Sequence, residues 1–333
     1  MTRKLISILL FALVIQISTA ARAEEDPELH AVAVAEKLNE TVKTDVAAPM
    51  TSCDPKDITA DQERGFITLP STFLLEKGRP VTQVLYGEEI KILERKGGYV
   101  RVAAINQKTA QYPDGYQGWV LESAISKNAQ FLSQIKLGNN IATTGKETLL
   151  YSDPECKKPL LRLPFDSKLP SAGVTSIDEK TPYKVMTPNG SIAYLKKTDA
   201  IEASKEAYSP EKVVKIAQQF IGLKYVWGGT SSSQGMDCSG LIYRIYSAHG
   251  VAIPRNAKDQ FTQGEVIPRD KLQPGDLVFF SEGKGSGLIH HVGVYIGNGQ
   301  MIHSPRTGSH IMISRMDVGE FDNTYAGARR YTQ

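Results

Sequence analysis

A cysteine stands at position 238 between an aspartate and a Ser-Gly pair, in the stretch "SSSQGMDCSGLIYRIYSAHG" at 231–250. Downstream, "HHVGVYIGNGQMIHS" carries His290, His291 and His303, and His310 follows. A thiol with imidazoles nearby supplies a nucleophile and its general base. Leu241, Ile242, Ile245 and Tyr246 mark one apolar face, which predicts a helix starting at or near Cys238 and stopping at Gly250. A cysteine at a helix start faces unpaired backbone N–H groups and the positive end of the helix dipole. Both favour thiolate, so its pKa is expected below that of a free cysteine. Its own N–H is placed to stabilise an oxyanion. Ser239 and Gly240 keep side-chain bulk small where a substrate must approach.

The histidine segment reads as a β-hairpin turning at Gly297-Asn298-Gly299. Residues two apart share a face of a strand, so loop length decides which histidines can cooperate. A two-residue turn at Asn298-Gly299 pairs Val294 with His303 and separates His291 from His303. A three-residue turn pairs Gly293 with His303 and leaves His291 on the same face. Cooperation of His291 with His303 therefore requires an odd loop, and His290 points away.

These parts need elements to hold them. Ser209-Pro210-Glu211 offers an N-cap followed by proline at the first helical position, and Gly222 ends that helix. Val213, Val214, Ala217, Phe220 and Ile221 form its apolar face. Strand-like runs follow at "DLVFF", "HVGVYIG" and "QMIHS", so residues 206–333 read as an α+β domain. Upstream, "VTQVLYGEEIKILERKGGYVRVAAINQ" and "PDGYQGWVLES" give short alternating strands between turns, as in a small barrel over 59–128. A looser echo ending "TPYKVMTPNGSIAYLKKTDA" suggests a second barrel over 129–205, a degenerate internal repeat.

The chain opens with Arg3 and Lys4, an apolar run from Leu5 to Ile17 and the small-x-small site Ala21-Arg22-Ala23. This is the layout of a secretory signal peptide over 1–23, with an uncleaved anchor as its rival. The apolar run is shorter than the ~20 residues of a membrane span, so no transmembrane anchor is expected after processing. Residues 24–58 read as a short helix and tether. Removing Arg3, Lys4 and Arg22 turns a formal +3 into 36 basic against 36 acidic residues. No basic stripe interleaved with aromatics points to nucleic acid. Three cysteines in an exported chain leave at least one unpaired; Cys53 and Cys156 could pair, and neither sits in a motif. His-x-x-x-His and Cys-x-x-Cys spacings are missing, so no metal site is expected, and no cofactor is implied.

Taken together, "YVWGGTSSSQGMDCSGLIYRIYSAHGVAIPR", "QPGDLVFF" and "HHVGVYIGNGQMIHS" resemble, in order and spacing, the NlpC-type family of bacterial cell-wall cysteine peptidases. The likeness covers about 209–333 and implies a papain-like fold. It implies Cys238 as nucleophile, His291 as general base, His303 as the group orienting His291, and Tyr225 beside the nucleophile as an oxyanion donor. Two SH3-like barrels ahead of such a domain resemble the γ-D-glutamyl-L-diamino acid endopeptidases. That subgroup implies a partner substrate, the stem peptide L-Ala-γ-D-Glu-diamino acid of peptidoglycan, cut outside the cytoplasm, with the first barrel walling off one end of the cleft. A free L-Ala amine at a closed end needs a negative charge or several acceptors. Asp237 and Ser239 are first candidates, with Tyr116 reaching across from the barrel, while Arg255 could meet the glutamate's α-carboxylate.

Each of these residues has a plainer reading. Asp237 could simply cap its helix, Tyr225 and Trp227 could be core aromatics rather than cleft walls, and Arg255 could be a surface ion pair. Asn256 and Gln83 are amides where an acid would suit an amine, which weakens a strict dependence on one. A cell-wall amidase, an acyltransferase or a non-catalytic wall-binding protein remain the rival functions.

Overall fold

A computed structural model describes residues 63–205 and 207–332. The signal-peptide and tether readings, and Cys53 with its pairing, lie outside the described residues. Among the described residues, no helix is long and apolar enough to cross a membrane.

The first barrel is one seven-stranded antiparallel sheet, ordered Arg79–Leu85, Ser71–Glu76, Tyr116–Leu121, Tyr99–Ala104, Glu89–Lys96, Arg64–Ile67, Ile125–Ser126. Its core is the inward half of the alternation: Leu74, Val84, Ile90, Val100, Val102 and Val120 are buried. The second unit shares the β-rich character but not the layout. It divides into a four-stranded sheet (Pro159–Pro164, Glu147–Tyr151, Ile192–Leu195, Tyr183–Met186) and a three-stranded one (Lys168–Pro170, Asn140–Thr143, Ala200–Glu202). The expected repeat is thus one of general kind. A helix that the periodicity did not reveal, Ala129–Lys136, joins the two units. Asn128 caps it by accepting from Phe131 N–H, and Phe131 buries its ring edge-on to Phe66 at 4.6 Å. Through this ring and Tyr86 the two units share one core.

The helix expected at Ser209-Pro210 is present. Ser209 Oγ accepts from Lys212 N–H at 3.2 Å, Pro210 starts the helix Pro210–Gln219, and Gly222 ends it with a φ of 87°. Val213, Ala217 and Phe220 are buried, whereas Ile221 has turned outward. A six-stranded antiparallel sheet follows, ordered Glu265–Ile267, Tyr325–Arg330, Leu277–Ser281, Ile289–Gly297, Gln300–His303, Met312–Arg315. Val292, Val294 and Ile302 on one face pack with Leu241, Ile242 and Ile245 of the helix Cys238–Ala248.

That helix is buried nearly all round, which its amphipathic pattern did not announce. The second side is covered by the two β-rich units, through ion pairs. Arg244, 1 % exposed, donates from Nη1 to Glu88 of the first barrel at 2.5 Å and lies 3.7 Å from Asp166 of the second unit. Lys168 pairs with Asp166 at 3.1 Å and donates to the Ser247 carbonyl at 2.7 Å, a cation at the helix C-terminus. Removing one partner of a buried ion pair strands the other charge. Arg244→Met is expected to destabilise the protein by about 3–5 kcal/mol, read as a lower urea midpoint. Adding Asp166→Asn to it should cost far less than in the wild-type background.

Candidate active site

The hairpin settles which histidines meet. Gly293 pairs with His303, Tyr295 with Met301 and Gly297 with Gln300, so Ile296 is an extra residue on its strand. The turn itself is the two-residue Asn298-Gly299, with φ of 53° and 69°. A β-bulge at Ile296, rather than an odd loop, supplies the parity. His291 and His303 then share a face, and His290 points out to solvent, as does His310. A Cβ on Gly293 would lie 3.2 Å from the His303 Cβ and 2.8 Å from Met301 Sδ, so glycine there lets the imidazole sit close to the strand.

The two rings are joined directly: His291 Nε2 and His303 Nδ1 are 2.8 Å apart. The second nitrogen of His303, Nε2, lies 2.9 Å from Ser314 Oγ. Phe321 stands beside both rings and Phe280 beside His291. With Nε2 engaged, the nitrogen of His291 left for a reacting thiol is Nδ1. Both imidazoles are buried, at 6 % and 1 % exposure. Burial depresses both: His291 falls well below the usual histidine value, and His303 is held at about 4. Both are neutral at neutral pH.

Cys238 is the first residue of its helix, and Asp237 caps it by accepting the Gly240 N–H at 2.5 Å. Backbone N–H groups of Ser239 and of Val292, the residue after His291, hydrogen-bond to the sulfur and favour thiolate. They do not prevail. Burial and the Asp237 charge push the thiol up to about 12, opposite to the shift expected from helix position alone. Burial thus works against charge on both the thiol and the imidazole.

Asp237 does more than cap. Its two oxygens accept from Arg255, at 3.1 Å from Nη1 and 2.7 Å from Nη2, and Ser239 Oγ donates to it at 3.1 Å. Arg255 is 1 % exposed, and its remaining bonds run to Thr82 Oγ1 (3.0 Å), Ser239 Oγ (2.9 Å) and the Gly229 carbonyl (3.5 Å). It is neither a surface ion pair nor free to meet a substrate carboxylate. Its donors are directed inward, because the first barrel seals that side.

The barrel reaches the surroundings of Cys238 at several points. Gln83 Oε1 accepts from the N–H groups of Thr230 (3.0 Å) and Ser231 (2.9 Å), and its Nε2 donates to Gln234 at 2.5 Å. Gln83 is therefore a fully engaged interface amide. The Lys108 carbonyl accepts from Arg255 N–H at 2.9 Å, and Ala110 N–H donates to Asp259 at 3.2 Å. The Tyr116 hydroxyl bonds the Asn256 side chain and feels the charges of Arg255 and Asp237, so it does come across the interface. Tyr225 lies within reach of the Asp237 and Cys238 charges. Burial and those charges raise its pKa, so it stays protonated and able to donate. Trp227 is 63 % exposed, an outward rim residue rather than core. Sequence reasoning missed the interface roles of Thr82, Glu88 and Arg244, since nothing in local spacing pairs residues more than 150 positions apart.

Three stretches of the chain match known protein families. Residues 222–330 match the NlpC/P60 family, 76–126 match a bacterial SH3 domain, and 144–201 match the YKFC SH3b2 domain. A γ-D-glutamyl-L-lysine dipeptidyl-peptidase of Bacillus cereus is 35% identical over 254 residues, covering 75% of this chain and 74% of that one. One of the same name from Bacillus subtilis is 34% identical, covering 75% and 80%. The crystal structure of an NlpC/P60 family protein from Bacillus cereus superposes with a TM-score of 0.74 at 30% identity, over 81% of this chain and all of that one.

A high thiol pKa means that reactivity rises with pH. Carboxamidomethylation of Cys238, followed by peptide mass mapping, is expected to accelerate about tenfold per pH unit from pH 6 to 9, without the acidic plateau of a preformed ion pair. Histidines kept neutral by folding oppose protonation. An unfolded His303 takes a proton near pH 6.5 and the folded one near 4, so stability falls as pH drops through that window. The loss reaches about 3 kcal/mol for His303 alone. Urea midpoints at pH 7 and 4.5 should differ less for His303→Asn than for wild type.

Proposed function

The chain belongs to the NlpC/P60 family of cell-wall cysteine peptidases, and on that footing we propose that it cuts the γ-D-glutamyl–diamino acid bond of released peptidoglycan stem peptides. The observation that carries this reading is the seam beside Cys238. There Thr82, Gln83, Lys108 and Tyr116 of the first barrel bond to Thr230, Ser231, Arg255 and Asn256 of the peptidase domain. A barrel fastened there closes one end of the substrate path, which favours a peptide that ends shortly beyond the cut. Two residues ahead of the scissile bond, as in L-Ala-γ-D-Glu, suit such an end, and the name dipeptidyl-peptidase borne by the two relatives describes the same product.

In this mechanism the Cys238 thiol passes its proton to His291 Nδ1 as the sulfur attacks the γ-carbonyl carbon of D-Glu. The C–S bond forms and the carbonyl electron pair moves to oxygen. The Cys238 N–H and the Tyr225 hydroxyl face that oxyanion. Collapse breaks the C–N bond, and His291 Nδ1–H protonates the departing amine of the diamino acid. Water, deprotonated by the same nitrogen, then cleaves the thioester. Because burial works against both charges, proton transfer to His291 accompanies the attack on the carbonyl rather than preceding it. Asp237, Ser239 and Tyr116 supply oxygens for the L-Ala amine. Arg255 balances much of the Asp237 charge, so acceptor geometry rather than net charge carries that recognition. Trp227 forms an outer wall. The site of action is outside the cytoplasm, where stem peptides are released.

The test is incubation with L-Ala-γ-D-Glu-L-Lys, its diaminopimelate counterpart, N-acetylated twins of both and intact peptidoglycan, with Cys238→Ala as control and products read by mass. Release of L-Ala-γ-D-Glu from the free-amine peptides, lost in Cys238→Ala and falling at least ~10²-fold on acetylation, is expected. A cut between sugar and L-Ala would make it an amidase, and acyl exchange a transferase. No product from the wild type on any of these substrates would leave only wall binding.

A further inference from the structure

The hydrogen-bonded line from His291 does not stop at His303. It runs on to Ser314 Oγ, 2.9 Å from His303 Nε2, on the strand Met312–Arg315 at the edge of the sheet. This last contact bears on which nitrogen of His291 holds a proton. Each neutral imidazole has one N–H and one bare nitrogen. For His291 Nδ1 to accept from a thiol, its proton must sit on Nε2 and be donated to His303 Nδ1. His303 Nδ1 must then be bare, so its own proton sits on Nε2 and needs an acceptor. The only side-chain group placed to take it, among the described residues, is the Ser314 hydroxyl. Were Ser314 to donate instead, each proton would shift along the line. His303 would carry its hydrogen on Nδ1, His291 would carry its own on Nδ1, and the base would be a donor facing the thiol.

We propose that Ser314 is a positioning residue: by accepting from His303 Nε2–H it sets the tautomer of His303, and through it leaves His291 Nδ1 bare as the base. Ser314 is half-buried, so its own hydroxyl hydrogen can turn to solvent while the oxygen accepts. Its place follows from register. Met301 pairs with Ser314, two residues along from the His303–Met312 pair and on the same face, so the short side chain reaches the ring diagonally. Phe321 and Phe280 flank the histidines with carbon and offer no competing acceptor.

This inference rests on the assignment of Cys238 and His291 above, and its test separates the two. Nitrogen-15 spectra of the intact protein, labelled at histidine, report for each ring which nitrogen is protonated, with no substrate present. His303 protonated on Nε2 and His291 protonated on Nε2 are expected. Ser314→Ala should mix the His303 tautomers and lower kcat about tenfold with KM nearly unchanged, while Ser314→Thr, which keeps a hydroxyl on an edge strand, restores both. His303 protonated on Nδ1 in the wild type overturns the proposal, even if Ser314→Ala fails to fold. So does a Ser314→Ala protein with unaltered spectra and kcat, or equal losses in Ser314→Ala and Ser314→Thr. Failure of Cys238→Ala to abolish cleavage would instead overturn the functional reading and leave the tautomer result standing.

Discussion

The buried pair of Asp237 and Arg255 is the contact on which the rest of this active site depends. Asp237 holds the first turn of the nucleophile helix through the Gly240 N–H, and Arg255 holds Asp237 through both of its oxygens. Arg255 in turn accepts its own position from the first barrel, through Thr82 Oγ1 and the Lys108 carbonyl. One carboxylate thus joins helix start, nucleophile neighbour and domain seam. Buried charges are tolerable only when paired and hydrogen-bonded, and here each partner satisfies the other. The side chains around the start of this helix are therefore fixed by an ion pair shared with the domain seam.

A second buried set acts at the far side of the same helix. Arg244, Glu88, Asp166 and Lys168 bring all three units onto it. The helix is consequently held at its start by one barrel and along its flank by both. Such anchoring fixes the helix that carries Cys238 from two sides, independently of the histidine-bearing hairpin. Burial that raises the thiol pKa also lowers that of the histidines, and both shifts favour the uncharged pair.

The candidate residues were legible because their local cues are strong. Asp-Cys-Ser-Gly before an apolar helical pattern, and two histidines in a Gly-Asn-Gly hairpin, mark the elements that carry them, while the roles expected of them came from the family resemblance. The bulge at Ile296 was not legible. A two-residue turn and an odd offset look contradictory in sequence, and a bulge reconciles them only once the strands pair. Arg255 failed for a related reason. An arginine in a loop looks solvent-facing until another domain covers it. The helix Ala129–Lys136 escaped because it leans on one fully buried ring, Phe131, rather than on a repeating apolar face.

By itself, then, the sequence determined the order of units, the start of the helix that carries Cys238 and the hairpin that carries His291 and His303, since these follow from short-range periodicity and capping. Tertiary structure alone decided the ionisation of the thiol, the inward turn of Arg255, the engagement of Gln83 and the line from His291 to Ser314. Each of those depends on how much water is excluded and on which distant side chain fills the space, and neither quantity is written in local spacing.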